Sequence, residues 1–126
     1  MIASDGFIEK GRGHPRTSGS YAKVLGKYVR DEKALSLMDA LRKMTIEPAR
    51  RLEARTPAMT AKGRIRQGAD ADLTVFDPAT VIDRATYEDA SIPSAGIPFV
   101  IVGGQVVVDG GTITSARPGR GIRAPH

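Results

Sequence analysis

Two short stretches near the start of the chain contain side chains suited to proton transfer and anion binding. Asp5 precedes a glycine, and its carboxylate is of the type that accepts and returns a proton in general acid–base catalysis. His14 and Arg16 flank Pro15, and an arginine guanidinium can bind a carboxylate through two hydrogen bonds. Local sequence alone also fits simpler roles, because Asp before Gly is common in turns and Pro15 sets the geometry of a solvated loop.

A complete metal site is not predicted from the residue types. A zinc site takes three or four protein ligands, whereas the chain has no cysteine and two histidines, His14 and His126, at opposite ends. Asp70 and Asp72 are two positions apart and are expected to point to one side of a strand. A calcium loop needs more oxygen ligands at fixed offsets. The pair is better explained as a strand-edge turn in which Asp72 bonds backbone N–H groups.

Composition excludes several classes of protein. Of the 126 residues, 40% are hydrophobic and 26% are charged, which is typical of one soluble globular domain. The absence of cysteine excludes disulfides and a thiolate nucleophile, and it predicts a reducing, cytoplasmic location. No apolar run approaches the roughly 20 residues that a membrane helix needs, so no membrane partner is expected.

The formal net charge of +5 permits weak attraction to polyanions. Basic residues form local groups at 10–16, 50–55 and 117–123. None of these groups has interleaved aromatic side chains that stack on bases, which argues against nucleic-acid binding.

The first half of the chain has the hydrophobic period of helices. Apolar residues recur at helical spacing over residues 20–30, where Ser18 or Ser20 is the predicted cap. A second helix is predicted after Ser36, and Thr45 is the predicted cap of a third. These helices are the elements that must hold the Asp5 loop.

Beyond residue 63 the hydrophobic period changes from that of helices to that of strands. The stretch ADLTVFDP alternates and ends in a turn signal. The stretch FVIVGGQVVVDGG predicts a hairpin that turns at Gly103 and Gly104, and residues 112–114 predict a further short strand. The predicted class is α+β, with two to three helices followed by a small, mainly antiparallel sheet that packs on them. The basic tail from about residue 115 is expected to be flexible.

The order of several motifs resembles the C-terminal part of the metal-dependent amidohydrolases, in particular the D-aminoacylase (N-acyl-D-amino-acid deacylase) branch. These motifs are SDG, HPR, ALRKMTIEPARRL, KGRIRQGADADLTVFD and IVGGQVVVDGG. The resemblance extends from about Ile2 to Gly111. One departure is Gly103, where the family usually has asparagine, and this exchange leaves the chemistry of the turn intact.

The resemblance implies a role for each stretch. Asp5 corresponds to the family's catalytic aspartate at the end of the last strand of a (β/α)₈ barrel. It acts as general base and acid toward a water activated by zinc or another divalent metal. His14 and Arg16 are candidate contacts for the carboxylate of the substrate. Residues 1–56 correspond to the C-terminal end of the barrel, and residues 57–126 to part of a small β-domain that strands from the N-terminus complete.

A whole barrel needs about 250 residues, so the resemblance implies that the chain is a C-terminal fragment. The family's metal-binding histidines fall upstream, and the chain alone is therefore expected to bind no metal and to be inactive as a hydrolase. Two other functions remain open. The first is a noncatalytic module that forms homo-oligomers through an exposed sheet edge or barrel-facing helices. The second is a polyanion-binding protein that uses the basic tail.

Overall fold

The computed structural model describes residues 1–9 and 12–124. Its elements in chain order are β1 (Ile8–Glu9), β2 (Arg12–Gly13), α1 (Arg16–Lys23), the π-helix π1 (Val24–Asp31), α2 (Leu37–Met44), α3 (Ile46–Glu53), a 3-10 helix (Pro57–Ala61), β3 (Leu73–Val75), β4 (Phe99–Val102), β5 (Gln105–Asp109) and β6 (Thr112–Ile113). The predicted α+β class is confirmed. No helix among the described residues has the length and apolar character needed to cross a membrane.

The first helix begins earlier than the apolar pattern over residues 20–30 indicates. It starts at Arg16, and neither predicted cap is correct. The hydroxyl of Ser18 donates to the carbonyl of Ala90 at 2.7 Å, and that of Ser20 donates to the carbonyl of Arg16 at 2.7 Å. Both serines therefore lie inside the helix, where such side chains bond to carbonyl oxygens rather than to the free N–H groups at its start.

The second half of the same helix is the π-helix π1. The N–H of Glu32 bonds to the carbonyl of Lys27, five residues back, at 2.8 Å. Gly26 lies within π1, and a Cβ atom at this position would be 2.6 Å from the carbonyl oxygen of Val81. The absence of a side chain at Gly26 therefore lets another segment of backbone lie directly against the helix.

Helices α2 and α3 follow the predicted pattern at one cap but not at the other. The hydroxyl of Ser36 accepts a hydrogen bond from the N–H of Asp39 at 3.1 Å, which confirms Ser36 as an N-cap. Thr45 does not cap α3, because its hydroxyl donates to the carbonyl of Leu41 at 2.7 Å. Pro48 is accommodated near the start of α3, where its missing N–H has no partner to lose.

The four-stranded sheet has the order β3-β4-β5-β6, and every neighbouring pair is antiparallel. Gly103 and Gly104 have φ angles of 54° and 79°, as a tight turn with two left-handed residues requires. The predicted hairpin is therefore confirmed, and so is the third strand after Gly110 and Gly111, whose φ angles are also positive.

Residues 77–98 connect β3 to β4 and lie over α1 and π1; we call this segment the strap. Val81 is fully buried within it, and its carbonyl accepts a hydrogen bond from the guanidinium of Arg30 at 2.7 Å. A single antiparallel bridge between Ile82 and Ala95 holds the two arms of the strap together. The strap thus connects the sheet to the first helix.

The main hydrophobic cluster belongs to the helices and the strap. Its buried members are Ala22, Leu25, Ala40 and Val81. In contrast, no residue of strands β3 to β6 is buried. The prediction that the sheet packs on the helices is therefore wrong for the strands themselves, and only their neighbours Phe76 and Ile97 reach this cluster. Four apolar residues of the strands, Val75, Phe99, Val106 and Ile113, are exposed.

Candidate functional site

Asp5 adopts a backbone conformation that is uncommon for a residue with a side chain. Its φ angle is 47°, in the left-handed region that aspartate tolerates better than most residues. The hydroxyl of Ser4 accepts a hydrogen bond from the N–H of Gly6 at 3.3 Å across this turn. The turn presents the Asp5 carboxylate to solvent, with 89% of the side chain exposed.

The loop that contains Asp5 is held against α1 and α2. A Cβ atom at Gly6 would be 2.6 Å from the Cα of Thr17, so only glycine permits this approach. The hydroxyl of Thr17 donates to the carbonyl of Phe7 at 3.1 Å. On the other side of the loop, the N–H of Ile2 bonds to the carbonyl of Lys43 in α2 at 2.9 Å. The helices therefore position the turn at Asp5.

Arg16, the first residue of α1, contacts Asp5 through both backbone and side chain. Its Nε donates to the Asp5 carbonyl at 2.9 Å, and its Nη2 lies 3.2 Å from Oδ2 of the carboxylate. The Arg16 side chain is 47% exposed, so this ion pair contributes little to stability. The ion pair matters for chemistry rather than for stability, because it places a guanidinium beside an exposed carboxylate.

His14 has a partner at each ring nitrogen. Its Nδ1 accepts a hydrogen bond from the backbone N–H of Arg16 at 3.1 Å, and its Nε2 lies 3.1 Å from the hydroxyl oxygen of Tyr87 in the strap. The two rings are in edge-to-face contact, with centroids 5.0 Å apart. No local sequence pattern links Tyr87 to this loop, because Tyr87 lies 73 positions beyond His14. A lone aromatic residue in a polar stretch is the one available signal.

A cleft of about 280 Å³ lies between the start of α1 and the strap. Its charged and aromatic lining residues are His14, Arg16, Lys23, Asp83, Tyr87 and Glu88. Lys23 and Asp83 form an ion pair in this lining, with Nζ and Oδ2 3.9 Å apart. Asp5 does not line the cleft. The structure thus brings His14 and Arg16 together at the cleft, while Asp5 adjoins Arg16 outside it.

Asp70 and Asp72 share a lysine partner. Nζ of Lys62 lies 2.9 Å from Oδ2 of Asp70 and also contacts Oδ2 of Asp72. Oδ1 of Asp72 accepts the N–H of Gly103 at 2.8 Å, as the sequence indicates for a carboxylate that bonds backbone. The Lys62 ammonium, and then the Gly103 N–H, hold the pKa of Asp72 below its ordinary value. Asp72, and then Asp70, raise the pKa of Lys62.

The donor set for a metal is incomplete within residues 1–9 and 12–124. No three side chains of His, Cys, Asp or Glu in these ranges form a group that could hold a metal ion. Asp5 lies next to an arginine rather than next to further ligands. His126, the second histidine of the sequence, lies outside the described residues. The described side chains therefore do not fit a zinc or binuclear metal centre by themselves.

Comparison with known families identifies the class of protein. Residues 9–108 match the model of the amidohydrolase family. The chain therefore belongs to the amidohydrolase family.

Curated relatives from Alcaligenes xylosoxydans xylosoxydans narrow the comparison within that family. The chain is 43% identical over 123 residues to an N-acyl-D-glutamate deacylase and 41% identical over 120 residues to a D-aminoacylase. These alignments cover 98% and 95% of the chain but 24% of each relative. The chain thus spans about a quarter of the length of the curated relatives that it matches, and it matches the D-aminoacylase branch.

Solved structures give the same result. The fold matches a crystal structure of D-aminoacylase with a TM-score of 0.82 and 40% identity, over 92% of this chain and 23% of that one. It also matches an N-acyl-D-glutamate deacylase from Bordetella bronchiseptica with a TM-score of 0.76 and 42% identity, over 85% and 22% of the two chains. The second relative is complexed with zinc and a phosphonate inhibitor that mimics the tetrahedral intermediate. The metal centre of D-aminoacylase is described as binuclear.

Proposed function

We propose that this chain supplies the catalytic aspartate and part of the β-domain of an N-acyl-D-amino-acid deacylase. We propose further that the chain alone does not hydrolyse such substrates. The observation that supports this proposal best is the pairing of Asp5, in a left-handed turn, with Arg16. The similarity to deacylases over nearly the whole chain supports the reaction class. The coverage of about a quarter of each relative supports a need for further residues.

Asp5 is the proposed general base and acid. Its Oδ2 takes a proton from the attacking water as the water oxygen bonds to the amide carbonyl carbon. The same oxygen then gives a proton to the leaving amine nitrogen as the carbon–nitrogen bond breaks. The high exposure of the Asp5 side chain leaves both carboxylate oxygens accessible to a substrate. Zinc or a related divalent metal would activate the water in a complete enzyme.

Arg16 is the proposed contact for the substrate's carboxylate. Its guanidinium already binds one carboxylate, that of Asp5, and the geometry of the group suits a second. His14 is proposed alongside Arg16, although both of its ring nitrogens already have partners.

The domain assignment follows from the same proposal. Residues 1–56 correspond to the last part of a (β/α)₈ barrel, in which α1, π1, α2 and α3 belong to the closing helices. Residues 57–126 correspond to part of a β-domain. The exposed apolar residues of the sheet support this assignment, because further strands or another surface would cover them in a complete enzyme.

The decisive experiment places this chain in a complete enzyme, which supplies the barrel residues that the proposal requires. The segment of a related D-aminoacylase that corresponds to this chain is replaced by this chain, and hydrolysis of N-acetyl-D-amino acids is measured with added zinc. We expect turnover by the chimera and none by the chain alone. Asp5→Ala in the chimera is expected to lower kcat by about 10²- to 10⁴-fold. Asp109→Ala, at the end of β5 and distant in sequence from Asp5, is the matched control and should leave kcat unchanged.

Two results would contradict the proposal. Zinc-dependent turnover by the chain alone would show that it builds a complete site. A folded, zinc-loaded chimera whose rate does not depend on Asp5 would show that Asp5 has another role.

We also propose self-association as a second candidate function. Val75 and Phe99 are cross-strand partners, and Val106 is the partner of Ile101, two residues beyond Phe99 on β4. Because cross-strand partners and alternate residues of a strand share a face, all three lie on one face of the sheet. All three are more than 40% exposed. An apolar face of this kind, next to the free edge of β3, favours association between copies.

Sedimentation velocity over a wide concentration range tests this second candidate. We expect a dimer that Phe99→Lys converts to a monomer. Met38→Lys, at an apolar side chain of α2 that is 72% exposed, is the control and should leave the dimer intact. A monomer at every concentration would rule out self-association.

A further inference from the structure

The His14 ring has a hydrogen-bond partner at each of its two nitrogens. Nδ1 accepts the N–H of Arg16, so in the neutral ring the proton is on Nε2. Nε2–H then donates to the hydroxyl oxygen of Tyr87 at 3.1 Å. Loss of the Tyr87 hydroxyl would leave this N–H without its acceptor, and the ring would be free to turn or to change tautomer.

The His14 ring in turn holds the start of α1. The N–H of Arg16 is one of the helix-terminal donors that have no partner within the helix, and Nδ1 of His14 supplies the missing acceptor. The carbonyl of His14 accepts the N–H of Thr17 at 3.0 Å, and that of Pro15 accepts the N–H of Gly19 at 3.0 Å. The backbone of Arg16 is thereby fixed in the first helical turn.

From this fixed backbone, the Arg16 side chain reaches Asp5. Its Nε and Nη2 contact the carbonyl and the carboxylate of Asp5, at 2.9 Å and 3.2 Å respectively. A continuous chain of contacts therefore runs from Tyr87 through His14 and Arg16 to Asp5. Every step in it is a hydrogen bond or ion pair.

Tyr87 can act as a fixed support although its side chain is 74% exposed. The turn that contains it is closed by hydrogen bonds between Thr86 and Asp89, at 3.0 Å and 3.1 Å. Ala90, just beyond that turn, is buried, and its carbonyl accepts the hydroxyl of Ser18 in α1 at 2.7 Å. The strap thus holds Tyr87 at a set position relative to α1.

We propose that Tyr87 is a positioning residue for the candidate site: its hydroxyl holds the orientation of the His14 ring, and His14 orients Arg16 toward Asp5. The relevance to catalysis rests on the proposed function, whereas the chain of contacts does not. No local pattern in the sequence links residue 87 to the loop that contains Asp5.

Nitrogen NMR of the intact chain tests the proposal without any activity. In a His126→Gln background His14 is the single histidine, and long-range proton–nitrogen spectra at neutral pH report which ring nitrogen bears the proton. We expect the Nε2–H tautomer in the parent chain. Tyr87→Phe should lower the ratio of Nε2–H to Nδ1–H tautomer about fivefold, because a ring that turns away from the Arg16 N–H loses the one hydrogen bond that favours this tautomer. The Arg16 Nε–H signal should broaden in the same variant through faster exchange with water.

Control variants separate positioning from a general structural role. Tyr21→Phe removes a hydroxyl from an α1 tyrosine that is 45% exposed and should change neither signal. His14→Asn should retain the Arg16 Nε–H signal, because its side-chain oxygen can replace Nδ1 as acceptor, whereas His14→Ala should lose it. Circular dichroism of each variant should match that of the parent chain.

The outcomes distinguish this inference from the proposed function. Unchanged His14 and Arg16 signals in Tyr87→Phe would overturn the inference, even if the chimeric enzyme depends on Asp5. Changed signals in Tyr87→Phe together with a chimera that does not depend on Asp5 would uphold the chain of contacts and reject the proposed function. A His14→Asn variant that behaves like His14→Ala would also count against the inference, since the acceptor would then not be what holds Arg16.

Discussion

The helical part of the molecule and its sheet bury their apolar side chains to different extents. The helices and the strap contain every buried hydrophobic residue among those described, namely Ala22, Leu25, Ala40, Ala49, Val81 and Ala90. The four strands contain none. The first region is therefore stabilised by contacts within the chain, whereas the hydrogen bonds of the sheet fix its shape without completing a core. The candidate site belongs to the first region, which explains how its loop is ordered.

The largest expected difference in stability is between two variants that each place a carboxylate in one of the two regions. Val81→Asp buries a carboxylate at a position with no exposed surface, and we expect it to lower the free energy of unfolding by about 4 kcal/mol, enough to unfold a marginal domain. Val106→Asp makes the same change on the sheet, where the side chain is 42% exposed, and should cost under about 1 kcal/mol. Urea denaturation measures both. Equal losses would remove the contrast between the regions.

Two glycines with similar backbone angles sharpen the comparison. Gly96 in the strap and Gly104 in the hairpin have φ angles of 75° and 79°. A Cβ at Gly96 would be 2.5 Å from the backbone nitrogen of Val81, whereas at Gly104 it would meet no atom within 4 Å. Gly104→Ala should cost about 1 kcal/mol from the left-handed conformation alone. Gly96→Ala should cost about 3 kcal/mol, because overpacking adds to that strain. Thermal unfolding of the two variants gives the difference, and similar melting temperatures would contradict the close packing of the strap.

A smaller difference in stability is expected between variants of the two predicted helix caps. Ser36→Ala removes a hydroxyl that accepts an N–H at the start of α2 and should cost about 1 kcal/mol. Thr45→Ala removes a hydroxyl that donates to a carbonyl one turn back and should cost less than half as much. Chemical denaturation of both single variants is the measurement. A larger loss in Thr45→Ala would mean that its bond to Leu41 stabilises the junction between α2 and α3.

The smallest expected effect is a pH dependence at the base of the sheet. Because the folded pKa of Asp72 is lowered, its contribution to stability is present above the pKa of an unfolded aspartate, near 3.8, and is lost as the pH falls through the lower folded value. The raised pKa of Lys62 acts oppositely, and its contribution is lost only at a pH above about 10.5. Asp72→Asn should therefore flatten the fall in stability below pH 4, by less than about 1 kcal/mol for this partly exposed pair.

Asp109→Asn is the control for the pH measurement. Asp109 lies at the end of β5 and takes part in no ion pair among residues 1–9 and 12–124. Its substitution should leave the fall in stability below pH 4 unchanged. An Asp72→Asn curve identical to that of the parent chain would show that the Lys62 pair does not contribute to stability.

Features encoded by a few neighbouring residues were predictable from the sequence. The glycine pair at 103–104 defines the hairpin, because two left-handed residues in succession suit glycine. Ser36 is predictable as a cap because it stands directly before an apolar stripe. The π-helix was not predicted, since its apolar spacing also fits an α-helix, and its close contact with Val81 comes from a segment far along the chain.

The candidate site was predictable only in part, for the same physical reason. Asp5, His14 and Arg16 lie close in sequence, within two motifs that resemble those of the amidohydrolases. The ion pair between Asp5 and Arg16 depends on how Gly6 packs on Thr17, which no local pattern reveals. The contact with Tyr87 depends on the path of the strap. Long-range contacts of this kind follow from tertiary packing rather than from periodicity.

The contact between His14 and Tyr87 has a consequence for the order in which the protein assembles. It joins residues 73 positions apart, and the nearby bond from Ser18 to Ala90 spans 72. Closing such long loops is entropically costly, so we expect both contacts to form late, after the local turns of α1 and α2. Weakening them should accelerate unfolding while leaving the folding rate nearly unchanged. The loop with Asp5 precedes the strap along the chain, yet it takes its final shape only after the strap has been made.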